Sequence, residues 1–514
     1  MQFDNSNPLA NALQGLSSAY TRIDQCLDYW AETTPEALAG ICGDDKITYA
    51  KLREKVETAA INIAAQGAKD GDTIAVSVPP SIEFLILFLA FSKLGVKWLG
   101  LNTKYTTSEI WYVLDDAQPA LVISDENLTV TNDPTRASPK LVTIDSVING
   151  KCAPKNGILA SAPSNQIACL VYTSGTTGKP KAAQLGHIAL LRGAQVRASI
   201  WKVAPFITIN NVPINHVGAL GDICCTALVA GGCQVFIEKF TSSATLEAID
   251  KHKVTYWYQA PTMFEMCMND PKAGLIDWSN LQAAIWSGGR ASAGLIEKLS
   301  KVAKNLGVDY SMTESVGAVS LSPLTRDMAL LGNTVGYPDP SRTLRIADPS
   351  SGALVEEGHE GEVQINDESM FLGYVDDAAN AGAFTSDGWF KTGDLVVQNA
   401  DGSWRISGRC KEMFKSGGYN VYPREIELAL EAHQGVSEAA IVEVTNVLYG
   451  EVGVGFVVLK NSQTSIDSLK THCQELLANY KIPKHFVILD NMPMLPIGKI
   501  DKGELRQMAK QFSQ

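Results

Sequence analysis

Residues 169–181 read Cys-Leu-Val-Tyr-Thr-Ser-Gly-Thr-Thr-Gly-Lys-Pro-Lys. The apolar run Cys169–Tyr172 has the composition of a buried strand, and it empties directly into a turn of small and hydroxylated residues. Such a turn can offer backbone N–H groups and hydroxyls to a phosphate, with Lys179 and Lys181 adding positive charge. The same residues would also make an ordinary surface turn, because clusters of Ser, Thr and Gly usually form loops. They do not make a Walker loop, whose glycines stand further apart than Gly175 and Gly178. A P-loop kinase or GTPase is disfavoured on that ground.

Working outward, the strand belongs to a longer rhythm. Residues 46–66 give a short strand and then a helix. Thr73–Val78 reads as a buried strand, Pro79-Pro80 breaks it, and Ile82–Leu94 resumes as an apolar helix. A strand over Lys97–Leu101, a helix over Thr107–Ala117 and a strand over Ala120–Ser124 follow. The alternation returns over 188–237 and 243–287, which implies βαβ units with parallel sheets covered on both faces. From about residue 342 short strands stand between Pro-Ser-Ser-Gly, Glu-Gly-His-Glu-Gly and Asn-Ala-Asp-Gly turns, the texture of an antiparallel unit. After Gly408 the rhythm restarts: helix 423–433, strands 437–445 and 451–460, helix 465–479. The predicted fold class is α/β: a large N-terminal body of two α/β subdomains plus a small β unit at about 340–408, then a small, mobile α+β C-terminal domain. The body is predicted to span 1–410 and the C-terminal domain 411–514, with the Gly-rich segment around Lys411 as hinge.

Composition narrows the function. The 514 residues carry 43 Lys and Arg against 55 Asp and Glu, a net charge of −12 that argues against a nucleic-acid partner. An apolar fraction of 45 % with 19 % charged residues is that of a globular chain with a large core, not of a disordered one. The ten cysteines show no metal-ligand spacing and read as reduced thiols of a cytoplasmic protein. No signal peptide is visible at the N-terminus. The longest apolar run, Phe84–Phe91, is eight residues, short of the ~20 that span a bilayer, so no transmembrane segment is expected.

The stretch Thr173–Lys181 resembles the phosphate loop of the acyl-adenylate-forming (AMP-binding) superfamily. Further stretches resemble other motifs of that family and occur in its order: Tyr310–Glu314, Gly388–Asp394, Gly408–Lys411, Lys415–Glu427 and Pro496–Lys499. The resemblance covers about residue 25 to residue 508 and is strongest to the acyl- and aryl-CoA synthetase (acid–CoA ligase) branch. It implies that ATP converts a small carboxylic acid to an acyl-adenylate, releasing pyrophosphate, and that coenzyme A then takes the acyl group as a thioester. Charge builds on the α-phosphate during the first step, so preorganised cations and N–H donors should supply most of the catalysis.

By that resemblance, Thr173, Ser174, Gly175, Thr176, Thr177, Gly178 and Lys181 hold the ATP phosphates, and Glu314 helps hold Mg²⁺. Thr313 would contact the α-phosphate and Tyr310 would pack on adenine, near Gly288 and Gly289. Asp394 would accept the ribose hydroxyls beside Arg409. Lys499 would bridge the substrate carboxylate and the α-phosphate; a Lys on such a turn is otherwise only a solvated charge. The C-terminal domain would rotate about Lys411 to present Lys415, Gly417 and Gly418 to CoA, although Gly417-Gly418 also reads as a plain helix-entry turn. His216 would shape the carboxylate site; a lone His before an apolar helix is otherwise a core residue. Asn215 stands where the family has an aromatic residue.

Asp222, Gly289 and Ser311 would line the acyl pocket, with Ser311 replacing a common Gly. Asp222 has two open readings: a carboxylate near a helix start, or a group that recognises an amino or hydroxyl group of the substrate. Trp257, Tyr258 and Trp286 are expected to wall the pocket, favouring an aromatic or a short-to-medium acid. Segment 361–373 lacks the Arg-Gly common in the family. An alternative within the family is a stand-alone adenylation enzyme that loads a separate carrier protein; a luciferase-type oxygenase and a catalytically dead scaffold stand further off. A homodimer is left open.

Overall fold

The computed structural model describes residues 20–125, 139–152, 166–173, 180–410, 412–416, 419–461, 464–495 and 500–513. The chain divides into two compact units. The larger comprises Gln2–Thr343 with Ile365–Trp389, the smaller Leu344–Gln364 with Phe390–Gln514. The four-stranded sheet that the sequence assigns to the body thus groups with the C-terminal segment. Helix Pro423–Glu431 packs on strand Trp404–Arg409, where a Cβ at Gly408 would touch Tyr422 at 3.3 Å.

The larger unit is built on two sheets. One has nine strands in the order Tyr337–Pro338, Ala318–Leu321, Asn305–Ser311, Ala283–Ser287, Tyr256–Gln259, Ile207–Asn210, Cys233–Phe236, Leu38–Cys42, Asp45–Thr48. From Asn305–Ser311 through Leu38–Cys42 every neighbouring pair is parallel. The other has six strands in the order Leu141–Thr143, Leu121–Ser124, Thr73–Ser77, Lys97–Gly100, Ile167–Thr173, Lys181–Gly186. All of its pairs are parallel except the last, the hairpin that carries the phosphate-loop motif. Strand Ala283–Ser287 is buried along its whole length, as a parallel strand covered on both faces must be. Helix Ile82–Leu94 starts where Ser81 accepts the Phe84 N–H and stops at Gly95, which takes the left-handed φ of 72°.

The predicted elements between 46 and 124 and between 188 and 287 are present, with one change of kind. The apolar segment after His216 opens as a π-helix, Gly218–Cys225, before turning α over Thr226–Ala230. A Cβ at Gly221 would lie 3.0 Å from the Leu190 side chain, so the π-helix runs tight against helix His187–Trp201.

Period-two alternation corrects the expected pocket walls. On strand Tyr256–Gln259, Trp257 faces the core cluster that also holds Phe264 and Trp286, its ring 4.4 Å from that of Phe264. Tyr256 and Tyr258 face the opposite cluster, with Trp201 and Phe206. Trp257 and Trp286 are therefore core residues and wall no pocket, whereas Tyr258 points the other way.

That other face holds charge. Arg197, fully buried on helix His187–Trp201, places Nη2 2.8 Å from Asp222 Oδ1 and 2.8 Å from Asp309 Oδ2. Its Nε donates to Asp309 Oδ2 at 2.9 Å. The Tyr258 hydroxyl donates to the same oxygen at 3.0 Å and lies 3.3 Å from Asp222 Oδ2.

The smaller unit has a four-stranded sheet, Leu344–Ala347, Glu360–Ile365, Phe390–Gln398, Trp404–Arg409. Its second sheet is centred on the long antiparallel pair Val436–Asn446 and Gly450–Leu459. Phe414–Ser416 and His485–Leu489 also pair with Gly450–Leu459. Among the described residues no helix is long and apolar enough to cross a membrane.

Removing the cation of a buried ion cluster strands its carboxylates, at a cost of about 3–5 kcal/mol. Arg197→Met is therefore expected to lower the urea midpoint of the larger unit sharply. Arg53→Met, which breaks an exposed pair with Glu32, should shift it by less than about 0.5 kcal/mol. Equal midpoints for the two variants would mean that the buried carboxylates need no counter-charge.

Candidate active site

The phosphate-loop motif sits on the last hairpin of the six-stranded sheet. Thr173 and Lys181 are directly opposed across it. Ser174, Gly175, Thr176, Thr177 and Gly178 lie outside the described residues. Segment 372–375 pairs along the free edge of Lys181–Gly186: Leu372 donates to Gln184 O, Gln184 to Gly373 O, and Val375 to Ala182 O. This pairing delivers Tyr374, whose ring lies 5.3 Å from Lys181 Nζ.

Glu314 meets that hairpin. The Tyr374 hydroxyl donates to Glu314 Oε1 at 2.7 Å, and Thr173 Oγ1 approaches the same oxygen at 3.5 Å. Burial, and then the Glu314 charge, push the Tyr374 phenol well above its ordinary range, so it stays a donor. Tyr374 is a partner of Glu314 that the sequence did not reveal. Its only local signal is the Leu372-Gly373 step in the segment that departs from the family pattern.

Tyr310 and Ser311 end strand Asn305–Ser311, and Thr313 and Glu314 occupy the turn that follows. The turn closes when Val316 donates to Thr313 O, and Val316 pays with a left-handed φ of 59°, strained for a β-branched residue. Arg342 holds it there, donating to Ser315 O at 2.5 Å and to Ala318 O at 2.6 Å. Gly193 and Gly317 pass so closely that a Cβ on Gly317 would lie 2.8 Å from the Gly193 Cα. The turn bearing Glu314 and the helix bearing Arg197 are thus packed backbone to backbone.

Gly288 and Gly289 form the turn after strand Ala283–Ser287, with Gly288 at φ 79°. The Ser287 and Ser311 hydroxyls, each at the end of its strand, are 3.1 Å apart. His216 is half-buried and heads the segment leading into the π-helix: Ala219 and Leu220 donate to its carbonyl. The preceding Asn215 donates to the Tyr105 hydroxyl at 3.1 Å.

Asp222 is neither a helix-start carboxylate nor a free one. It lies inside the π-helix, and its oxygens are engaged by Arg197 and Tyr258. Burial pushes its carboxyl up, Arg197 pulls it down, and Asp309 raises it again; the net direction is upward. The sequence could not supply the partner, because Arg197 on an apolar helix reads only as one more basic residue.

The smaller unit brings Asp394 and Arg409 together. They are opposed on adjacent antiparallel strands, and Arg409 Nε donates to Asp394 Oδ1 at 2.7 Å. Asp394 is buried while the Arg409 side chain is 55 % exposed, so the pair keeps one face open. Lys415 is exposed on strand Phe414–Ser416. Lys411, Gly417, Gly418 and Lys499 lie outside the described residues; Ile500, which follows Lys499, is bridged to Met494.

Three comparisons bear on this arrangement. The chain is 29 % identical over 481 residues to a feruloyl-CoA synthase from Amycolatopsis, covering 93 % of this chain and 97 % of that one. Its fold is similar to that of ATP-bound MatB from Rhodopseudomonas palustris, with a TM-score of 0.86 at 27 % identity over 96 % of this chain and 100 % of the other. It is also similar to O-succinylbenzoate coenzyme A synthetase (MenE) from Bacillus subtilis in complex with ATP and magnesium ion, with a TM-score of 0.81 at 26 % identity over 94 % and 99 %. The AMP-binding enzyme C-terminal domain model matches residues 425–499. The AMP-binding enzyme model matches residues 27–375, from the first helix through the Tyr374 segment, and with more than half of its length so matched, the chain belongs to the AMP-binding enzyme family.

Proposed function

We propose that the protein is an AMP-forming acid–CoA ligase, acting on a small aromatic or short-to-medium carboxylic acid. The observation that carries the reading is the meeting of Glu314, Thr173 and Tyr374 beside the phosphate-loop hairpin, in a chain of the AMP-binding family. The donor chemistry suits Mg²⁺, a hard cation that takes carboxylate oxygens and keeps places for water and phosphate. Among the described residues no three His, Cys, Asp or Glu groups could cage a metal unaided, so substrate phosphates would complete the shell. When bound, Mg²⁺ neutralises charge on the ATP phosphate oxygens.

The residues of the chain then act in order. Thr173 to Gly178 and Lys181 hold the β- and γ-phosphates; Tyr310, Gly288 and Gly289 hold the adenine, and Asp394 beside Arg409 the ribose. The substrate carboxylate attacks the α-phosphorus in line, the bond to the β-phosphate breaks, and pyrophosphate leaves. Lys499 bridges the attacking carboxylate and the α-phosphate, Thr313 contacts the latter, and His216 shapes the carboxylate site. In the second step the CoA thiolate attacks the acyl carbonyl and AMP leaves, with residues 411–514 turning about Lys411 to bring Lys415, Gly417 and Gly418 to CoA. The density of glycine around Lys411 supports that hinge. Ten cysteines, none of them bridged, suit the reducing cytoplasm.

With ATP, Mg²⁺, CoA and a panel of acids, the expected products are AMP, pyrophosphate and a thioester identified by mass. A free adenylate that CoA does not consume would point to a carrier protein as acceptor. Lys499→Ala should cut adenylation by roughly two to three orders of magnitude while sparing thioester formation from preformed acyl-adenylate. Equal loss in both half-reactions would remove Lys499 from its role. Tyr374→Phe should raise the Mg²⁺ concentration for half-maximal pyrophosphate release by about tenfold or more; an unchanged Mg²⁺ dependence would separate Tyr374 from the metal.

A further inference from the structure

Three adjacent parallel strands of the nine-stranded sheet end in Gln259, Ser287 and Ser311. Open α/β sheets bind ligands outside the carboxyl ends of their strands, so Ser287 and Ser311 stand on the ligand edge. Just behind them lies the Arg197 cluster. Exposure rises steadily along the series: Arg197 0 %, Asp309 2 %, Tyr258 5 %, Ser287 8 %, with Ser311 half-buried at the end. The polar contacts run the same way. Arg197 holds Asp309 and Asp222, both carboxylates engage the Tyr258 hydroxyl, Ser287 ends the strand next to that of Tyr258, and Ser287 pairs with Ser311.

Such a cluster is expensive. Two carboxylates share one guanidinium, and Arg197 Nη1, Asp309 Oδ1 and the Tyr256 hydroxyl are buried without a hydrogen-bond partner among the described residues. Apolar residues of the same volume would avoid that cost, and an apolar wall would serve an unsubstituted acyl chain at least as well. What a charged base supplies is orientation: the Tyr258 proton is claimed by the carboxylates, so its oxygen presents only an acceptor towards the strand that ends in Ser287. The Ser287 oxygen can in turn accept from Ser311, and the Ser311 oxygen is left to face a donor. Asp222 acts at one remove, through Tyr258.

We infer that Arg197, Asp222, Asp309, Tyr258 and Ser287 are positioning residues that orient the Ser311 hydroxyl to recognise an acid bearing a hydroxyl or amino group remote from its carboxylate. The inference rests on the ligase reading and names the substrate class of that site.

The test measures kcat and KM for pyrophosphate release with benzoate, 4-hydroxybenzoate and 4-aminobenzoate, and with hexanoate and 6-hydroxyhexanoate. The wild type, Tyr258→Phe and Ser311→Ala are compared. The wild type should prefer a substituted acid over its parent by about tenfold or more in kcat/KM, the worth of a hydrogen bond lost on one side only. Both variants should bring that ratio towards one through KM for the acid, with KM for ATP held, and Ser311→Ala should leave the melting temperature unchanged. No preference in the wild type, or a preference that survives in both variants, would overturn the inference. So would a joint loss of kcat, ATP affinity and melting temperature, which marks a merely structural role. Wild-type protein that releases no pyrophosphate with any acid would instead overturn the ligase reading.

Discussion

Two carboxylates lie in the core of the larger unit with a single guanidinium between them, and much of the surrounding packing follows from keeping those three groups together. An unpaired buried charge costs several kcal/mol, on the scale of a domain's whole stability. Arg197 must therefore reach Asp222 and Asp309 at hydrogen-bond distance. The π-helix Gly218–Cys225 turns Asp222 inward, and the smallness of Gly221 lets the helix of Arg197 lie against it. Strand Asn305–Ser311 brings Asp309 from the sheet, and Tyr258 closes the set from the same face, two strands away.

The same helix reaches the turn that carries Glu314. Its Gly193 passes Gly317 at backbone contact, immediately after the turn in which Val316 is strained and Arg342 caps the carbonyls. That turn holds Glu314 where Tyr374 and Thr173 can meet it. A partly buried carboxylate is held in one orientation when one of its oxygens is committed, and the Tyr374 hydroxyl does this for Glu314 Oε1. In the smaller unit the equivalent economy is the Asp394–Arg409 pair, in which a buried carboxylate is oriented by a half-exposed guanidinium. Lys502, anchored to Glu412 and Glu427, ties the helix that follows the Lys499 segment to the start of the C-terminal domain.

The amino-acid sequence by itself determined the alternation of strands and helices, the strand that runs into the Thr173–Lys181 segment, the antiparallel texture after residue 342 and the order of the family's motifs. These are local properties: strand and helix periods, turn residues and short spacings are written within a dozen residues. Only the tertiary structure decided which side chains meet. Tyr374 reaches Glu314 across 60 residues of chain, and Arg197 reaches Asp309 across 112. Likewise Trp257 and Tyr258 look alike as neighbours in sequence but part company because a strand sends successive side chains to opposite faces, and only the packed sheet says which face is core and which carries the charge.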